Sequence, residues 1–309
     1  MSKRPELRVQ LGPLSLPNPV LVASGTFGYG LEFADLVNLA ELGGIVVKSL
    51  TLAPRVGNPP PRVAETPAGM LNSIGLQNEG VESFIVEVLP RLREYGVPII
   101  VSVAGETVGE FCAVAERLAH APGIAALELN LSCPNQAQGG LEFGIAPQLT
   151  AMVVREVRRR CALPLIAKLS PNVTDIVPIA QAAHAAGADI LSLINSVLGV
   201  AVDVQTRRFK LASQCGGLTG AAIKPIALYH IWRVHQAMPS VPLIGIGGIM
   251  NWEDAVEFML VGASAVQIGT ANFVQPTTCI EVLHGLERYL MEQGIDNLRS
   301  LVGSIQDID

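Results

Sequence analysis

The feature that most narrows the fold is a repeated alternation. A short apolar, β-branched run is followed by a longer stretch of helical periodicity, eight times along 309 residues. The strands are predicted at Val20–Ala23, Gly44–Val47, Pro98–Val101, Ala126–Leu129, Leu163–Ala167, Asp189–Ile194, Leu243–Ile246 and Ala265–Ile268. Their hydrophobicity is continuous rather than alternating, as suits a strand covered on both faces. Helices are predicted at Leu31–Leu42, Val81–Tyr95, Gly109–Ala121, Gln148–Arg160, Ile176–Ala186, Ile223–Gln236, Asn251–Val261 and Thr277–Gln293. Gly96, Gly187 and Gly262 hand a helix over to the next strand, since glycine takes the left-handed conformation past a last helical turn without steric cost. No Pro/Gly/Ser linker divides the chain. The pattern predicts an α/β protein, a closed (β/α)8 TIM barrel forming one domain over 1–309. Leu7–Leu16, with Gly12-Pro13 near its middle, is expected to be a hairpin closing the barrel bottom.

Composition narrows the function. The formal net charge is 21 − 27 = −6, and no block of Lys and Arg stands out. A chain whose main partner is nucleic acid usually carries a basic face, so no nucleic-acid partner is expected. Met1 to Gln10 is polar and charged, unlike a signal peptide or membrane anchor, and no apolar run approaches the roughly 20 residues of a spanning helix. The protein is expected to be soluble and cytoplasmic, away from membranes. The five cysteines (Cys112, Cys133, Cys161, Cys215, Cys279) form no CxxC pair. That argues for reduced thiols and against an iron–sulfur cluster held by this chain alone. The histidines all fall in predicted helices, where surface imidazoles are expected. None has metal-ligand spacing or sits at a strand end, so neither a metal site nor a Ser-His-Asp triad is expected.

In this barrel active sites form where the strands end. The residues following the predicted strands are Ser24-Gly25, Lys48-Ser49, Ser102, Asn130, Lys168, Asn195-Ser196, Gly247-Gly248 and Gly269-Thr270. One lysine at such a position can snorkel outward. Two at one barrel mouth point to an anion or an electron-rich ring. The glycine motifs after strands seven and eight suit a phosphate held by backbone N–H groups. Ser49–Gly80 and Ser196–Gly220 are too long for minimal connections, and loops beyond about 15 residues in a compact domain are usually functional or disordered.

The most pointed segment is Glu128-Leu-Asn-Leu-Ser-Cys-Pro-Asn135, which leaves strand four and enters a glycine-rich excursion up to Gly144. Most cysteines are small buried hydrophobes. Cys112, Cys161 and Cys279 are read that way, with Cys215 left open. Cys133 differs in lying just past a strand end between Asn130 and Asn135. A thiol there becomes a base or nucleophile wherever its surroundings favour the thiolate. Residue chemistry alone leaves the buried and the catalytic reading of Cys133 both open.

These residues resemble a known family. Asn18–Gly25, Lys48–Asn58, Gly69–Asn78, Glu128–Asn135, Lys168–Asn172, Gly216–Gly220 and the two glycine motifs are similar to blocks of the class 1 dihydroorotate dehydrogenases, over nearly the whole chain. The resemblance implies oxidation of dihydroorotate to orotate in pyrimidine biosynthesis, with FMN at the C-terminal mouth of the strands as electron acceptor. It implies Cys133 as the base that takes the C5 proton while hydride leaves C6. Substrate would be held by Lys48, Asn72, Ser73, Ile74, Gly75, Leu76, Asn130, Asn135, Asn195 and Ser196. An asparagine offers donor and acceptor together, as a pyrimidine edge requires. The flavin would be lined by Ser24, Lys48, Ser49, Ser102, Asn130, Lys168, Ile194 and Gly220, with Gly247, Gly248, Gly269 and Thr270 around its phosphate. Lys168 would stabilise negative charge developing on the ring. The family often has asparagine where this chain has Ser102.

Within class 1, Gly25–Gly30, Ala64–Gly69 and Gln77-Asn78 look closer to the NAD-linked 1B branch than to the fumarate-linked one. The resemblance then implies a partner subunit carrying FAD and a 2Fe–2S cluster, around a homodimer core of a heterotetramer. Two other flavin barrels are the alternatives: a tRNA dihydrouridine synthase and a uracil or thymine reductase. The acidic balance and a chain ending soon after the eighth helix count against the first. Lys48 as a carboxylate partner counts against the second.

Overall fold

The computed structural model describes residues 4–131 and 142–307. Eight parallel strands close a barrel in sequence order: Val20–Val22, Gly44–Leu50, Ile99–Val103, Ile124–Asn130, Leu165–Leu169, Ile190–Leu193, Leu243–Ile246 and Ala265–Ile268. The eighth strand pairs with the first through Val266 opposite Val20. Strands seven and eight have the expected bounds. Strands two to five run further toward the mouth than expected, so Lys48, Ser49, Ser102, Asn130 and Lys168 belong to strands rather than following them. The apolar runs mark only where a strand is walled by helix and core. Its polar continuation is held by the same ladder.

Helices Val108–Ala119, Pro147–Arg158, Val177–Ala185, Lys224–Ala237, Trp252–Leu260 and Thr278–Glu292 lie near their expected places. The second connection is Gly80–Ser83, a wider π turn over Phe84–Val88, then Leu89–Arg93. Pro90, which has no N–H and crowds the carbonyl four residues back, accounts for the widening. The helix expected over Leu31–Leu42 is absent. Two short 3-10 turns, Leu31–Phe33 and Leu39–Glu41, stand there. A local side chain takes a backbone donor a helix would need: Asn38 accepts from Ala40 N at 3.3 Å.

The interior of the barrel is layered. Leu21, Val46, Ile100, Ala126, Ile166, Ile190, Ile244 and Ala265 share one apolar cluster with Leu11, Leu14 and Leu16 of the hairpin Val9–Leu11/Leu14–Leu16. The hairpin expected at the N-terminus therefore plugs the lower end. Alternation along a strand returns the side chain two residues on to the same face. In four of these strands that residue is Ser102, Glu128, Lys168 or Ser192, and Gln267 takes the place in the eighth. All five are buried.

The two long connections fold onto each other above the barrel. Val63–Thr66, Gly69–Asn72, Cys215–Thr219 and Val197–Val200 make one antiparallel sheet, with Asn72 opposite Gly217. Glycine is required where these strands meet. A Cβ on Gly69 would stand 1.9 Å from the carbonyl oxygen of Thr219, and one on Gly216 would stand 2.6 Å from that of Asn72.

Candidate active site

Between the barrel mouth and this sheet lies a cleft in two adjoining parts, of about 370 and about 80 Å³. Ser24, Lys168, Asn195 and Ser196 line both. The larger part holds Lys48, Ser49, Asn72, Ile74, Gly75, Leu76 and Asn130. The smaller holds Ile194, Gly220, Gly247, Gly248, Gly269 and Thr270. Lys48, Asn72, Ile74, Gly75, Leu76 and Asn130, expected on the substrate side, and the residues expected around a phosphate thus occupy separate ends of one cleft, with Asn195 and Ser196 bordering both.

Two expected residues stand behind the wall. Ser73 is buried, does not line the cleft, and its Oγ has no hydrogen-bond partner among the described residues. Ser102 is fully buried, with its Oγ 2.8 Å from Ser49 Oγ, so it reaches the cleft only through that hydroxyl. Cys133 and Asn135 lie outside the described residues. The chain on either side is drawn together, as Gly144 N donates to Leu131 O at 2.8 Å, one residue past Asn130.

A chain of hydrogen bonds ties the polar wall together. Asn130 Nδ2 donates to Ser49 Oγ at 3.1 Å, and Asn195 Nδ2 donates to Asn130 Oδ1 at 3.3 Å. Asn195 Oδ1 accepts from Ser196 N at 2.8 Å, and Ser196 O accepts from Asn172 Nδ2 at 3.1 Å. Each amide is thereby oriented before any ligand arrives, which reduces the ordering cost of binding. Asn72 Nδ2 is held by Gly217 O at 3.2 Å, across the sheet that roofs the cleft. Next to it, Gly75 and Leu76 both have positive φ, 76° and 56°; Leu76 is one of few non-glycine residues in that region.

The lysines differ in their surroundings. Lys48 Nζ stands 5.5 Å from the centroid of the Tyr29 ring. Burial, with Glu79 as hydrogen-bond partner, pushes the Tyr29 hydroxyl well above its ordinary range, so the ring stays a neutral phenol. Lys168 is nearly buried; its Nζ donates to Ser24 Oγ at 3.3 Å and lies 3.6 Å from Glu128 Oε1. Sequence reasoning missed Glu128, Ser192 and Gln267, because reading the strands as continuous apolar runs passes over single polar residues within them. The polar positions at i and i+2 of strand four, Glu128 and Asn130, were the available signal. Thr26, Thr219 and Gln77 also line the cleft and sit inside or beside the motifs that mark it.

Three of the four other thiols offer no alternative nucleophile here. Cys112, Cys161 and Cys279 are buried, and burial raises all three, Cys279 to about 12. No group of metal-ligating side chains occurs among the described residues. His120, His184, His235 and His284 sit on or at the ends of helices with some exposure, but His230 is buried, contrary to the surface position expected for it.

The donor set fits a phosphate-bearing, electron-rich ring. Gly247 and Gly248 have φ of 124° and 79°, and a Cβ on Gly248 would meet the Lys224 backbone nitrogen at 2.7 Å. Bare backbone is therefore obligatory at the narrow end, as an anion cradle of N–H groups requires. At the broad end three cations (Lys48, Arg62, Lys168), four amides (Asn72, Gln77, Asn130, Asn195) and several hydroxyls converge, enough for a ring edge and a carboxylate together.

A closed (β/α)8 barrel with a two-part cleft at its mouth, lysines on its floor and glycines at one end has the layout of a barrel enzyme. A family model described as dihydroorotate dehydrogenase matches residues 6–290. Three relatives are each named as dihydroorotate dehydrogenase B (NAD(+)), catalytic subunit. That of Desulforudis audaxviator is 55% identical over 96% of this chain and 96% of its own length. That of Geotalea daltonii is 53% identical over 98% and 99%, and that of Bacteroides thetaiotaomicron 50% over 97% and 99%. The chain belongs to the dihydroorotate dehydrogenase family, and it is an oxidoreductase of that family. No helix among the described residues is long and apolar enough to cross a membrane.

Proposed function

We propose that this chain is the catalytic subunit of an NAD-linked dihydroorotate dehydrogenase, oxidising dihydroorotate to orotate in pyrimidine biosynthesis. The observation that carries the reading is the convergence of Lys48, Asn72, Asn130, Asn195 and Ser196 on one cleft whose other end is the glycine cradle. When bound, FMN would supply the hydride acceptor. Ser24, Ser49, Lys168, Ile194 and Gly220 would line its ring, with Gly247, Gly248, Gly269 and Thr270 at its phosphate.

The protein's own groups then divide the work. Lys48 supplies the positive charge for the substrate carboxylate, and its placement over the Tyr29 ring holds the ammonium toward the cleft. Asn72, Asn130 and Asn195, each fixed by a neighbour, present donors and acceptors to the amide edges of the ring. Cys133 takes the proton from C5, its thiolate becoming a thiol as the C5–C6 double bond forms and hydride leaves C6. The relatives' names describe a catalytic subunit acting with NAD(+), and the absence of CxxC pairs in this chain fits FAD and a 2Fe–2S cluster residing on a partner subunit. A homodimer core within a heterotetramer, one domain over 1–309, and a cytoplasmic location complete the proposal.

Cys133→Ser tests the base. A hydroxyl is a far weaker acid than a thiol, so anaerobic reduction of the bound flavin by dihydroorotate should slow by roughly 10²–10⁴-fold near neutral pH. Orotate affinity should change little. Equal reduction rates in variant and wild type would remove Cys133 from the chemistry.

A further inference from the structure

Glu128 is fully buried inside the barrel, in the layer just below the cleft floor, and lines neither part of the cleft. Its Oε2 accepts from Gln267 Nε2 at 2.7 Å and from Ser192 Oγ at 3.0 Å. Oε1 makes no hydrogen bond among the described residues and faces Lys168 Nζ at 3.6 Å. The side chains of the pair are 0% and 7% exposed. Lys168, in contrast, lines both parts of the cleft. The ammonium therefore lies at the boundary, with a carboxylate on one side and the cofactor's place on the other.

A buried ion pair contributes little to stability when weighed against an apolar pair of similar size. Gln267 adds to the puzzle: its amide donates to Glu128 while its own Oε1 has no partner among the described residues. Strands four, six and eight thus each give up an inward apolar position to accommodate one negative charge. Charge at this depth acts on any neighbouring electron acceptor with little screening.

We propose that Glu128 is a positioning residue for the cofactor's redox poise: an internal counter-charge that anchors Lys168 from below and offsets its pull on electrons in the flavin above. This rests on the flavin reading of the cleft. Lys168 favours the reduced, more negative flavin. Glu128 limits that preference, so electrons taken from substrate are released again to the next acceptor. Ser192 and Gln267 hold the carboxylate in place by donating to it.

The test is the two-electron midpoint potential of bound FMN, measured by dye equilibration in the wild type, Glu128→Gln and Glu128→Asp. Glutamine matches the shape of the side chain and removes the charge. Its flavin should be easier to reduce by roughly tenfold in equilibrium constant, about 30 mV for a two-electron couple. Glu128→Asp, with the charge kept, should stay close to the wild type. A potential in Glu128→Gln equal to or below that of the wild type overturns the proposal, because a residue that only fills space alters stability and leaves the potential alone. Where Glu128→Gln does not fold, wild-type enzyme with isotope-labelled glutamate carboxyls carries the test. Flavin reduction must then shift a labelled carboxylate band in the infrared difference spectrum, and silence there overturns the proposal. Protein that folds but takes up no FMN overturns both this inference and the flavin reading beneath it.

Discussion

At the lower end of the barrel, Leu21, Val46, Ile100, Ile166 and Ile244 meet leucines of the N-terminal hairpin. Two residues further along two of the same strands, the interior holds Ser102 and Lys168, joined there by Glu128, Ser192 and Gln267. The backbone is the same and both layers are shielded from water. What differs is the work each does. The lower layer removes apolar area from solvent and can be exchanged for any set of similar volume. The upper layer forgoes that gain to keep charge and hydrogen-bonding groups fixed beneath a cleft. Sites that break the local rule of a fold are where function is to be sought.

The contrast between the layers is broken most severely by Lys168→Met. It leaves Glu128 buried with no cation beside it, and loss of one member of a buried pair typically costs about 3–5 kcal/mol. Denaturant unfolding of the apoprotein should show that loss. A change below about 1 kcal/mol would mean that the pair is not desolvated as described.

Ile166→Val probes the other layer. A single methylene lost from the apolar floor should cost roughly 0.5–1.5 kcal/mol. The visible spectrum and midpoint potential of bound flavin should not move, because the deletion is one layer removed from Lys168. A shifted potential would show the two layers to be mechanically coupled.

The smallest effect lies outside the barrel, on the helix Lys224–Ala237. Burial lowers His230 and His235 from their ordinary value, helped in His230 by Arg233; Asp175 opposes the shift there. The unfolded chain then binds more protons than the folded one between the depressed values and the ordinary 6.5. Their contribution is therefore present above about pH 6.5 and is lost as pH falls through the depressed values. Unfolding midpoints should decline on acidification across that window, and His235→Gln should flatten the decline. An unchanged slope in that variant would assign the acid sensitivity elsewhere.

The barrel was legible because each strand buried on both faces is a largely apolar run, and strands seven and eight agree residue for residue. Leu31–Leu42 was not legible, since its apolar spacing suits a helix while Glu32 and Asn38 spend their side chains on turns. The cleft was read from strand ends, which placed Lys48 and Lys168 correctly at the mouth but one step outside their strands. The roofing sheet was missed because its strands come from two connections distant in sequence, and only a pairing such as Asn72 with Gly217 reveals it. Glu128 escaped for a related reason: its partners, Ser192 and Gln267, lie 64 and 139 residues away.

The measurement closest to the central claim is the visible absorption of the purified protein with FMN, before and after anaerobic addition of dihydroorotate. The account predicts a yellow flavin spectrum that bleaches on addition, since cofactor and substrate share one cleft. A flavin spectrum that dihydroorotate leaves unbleached would contradict it.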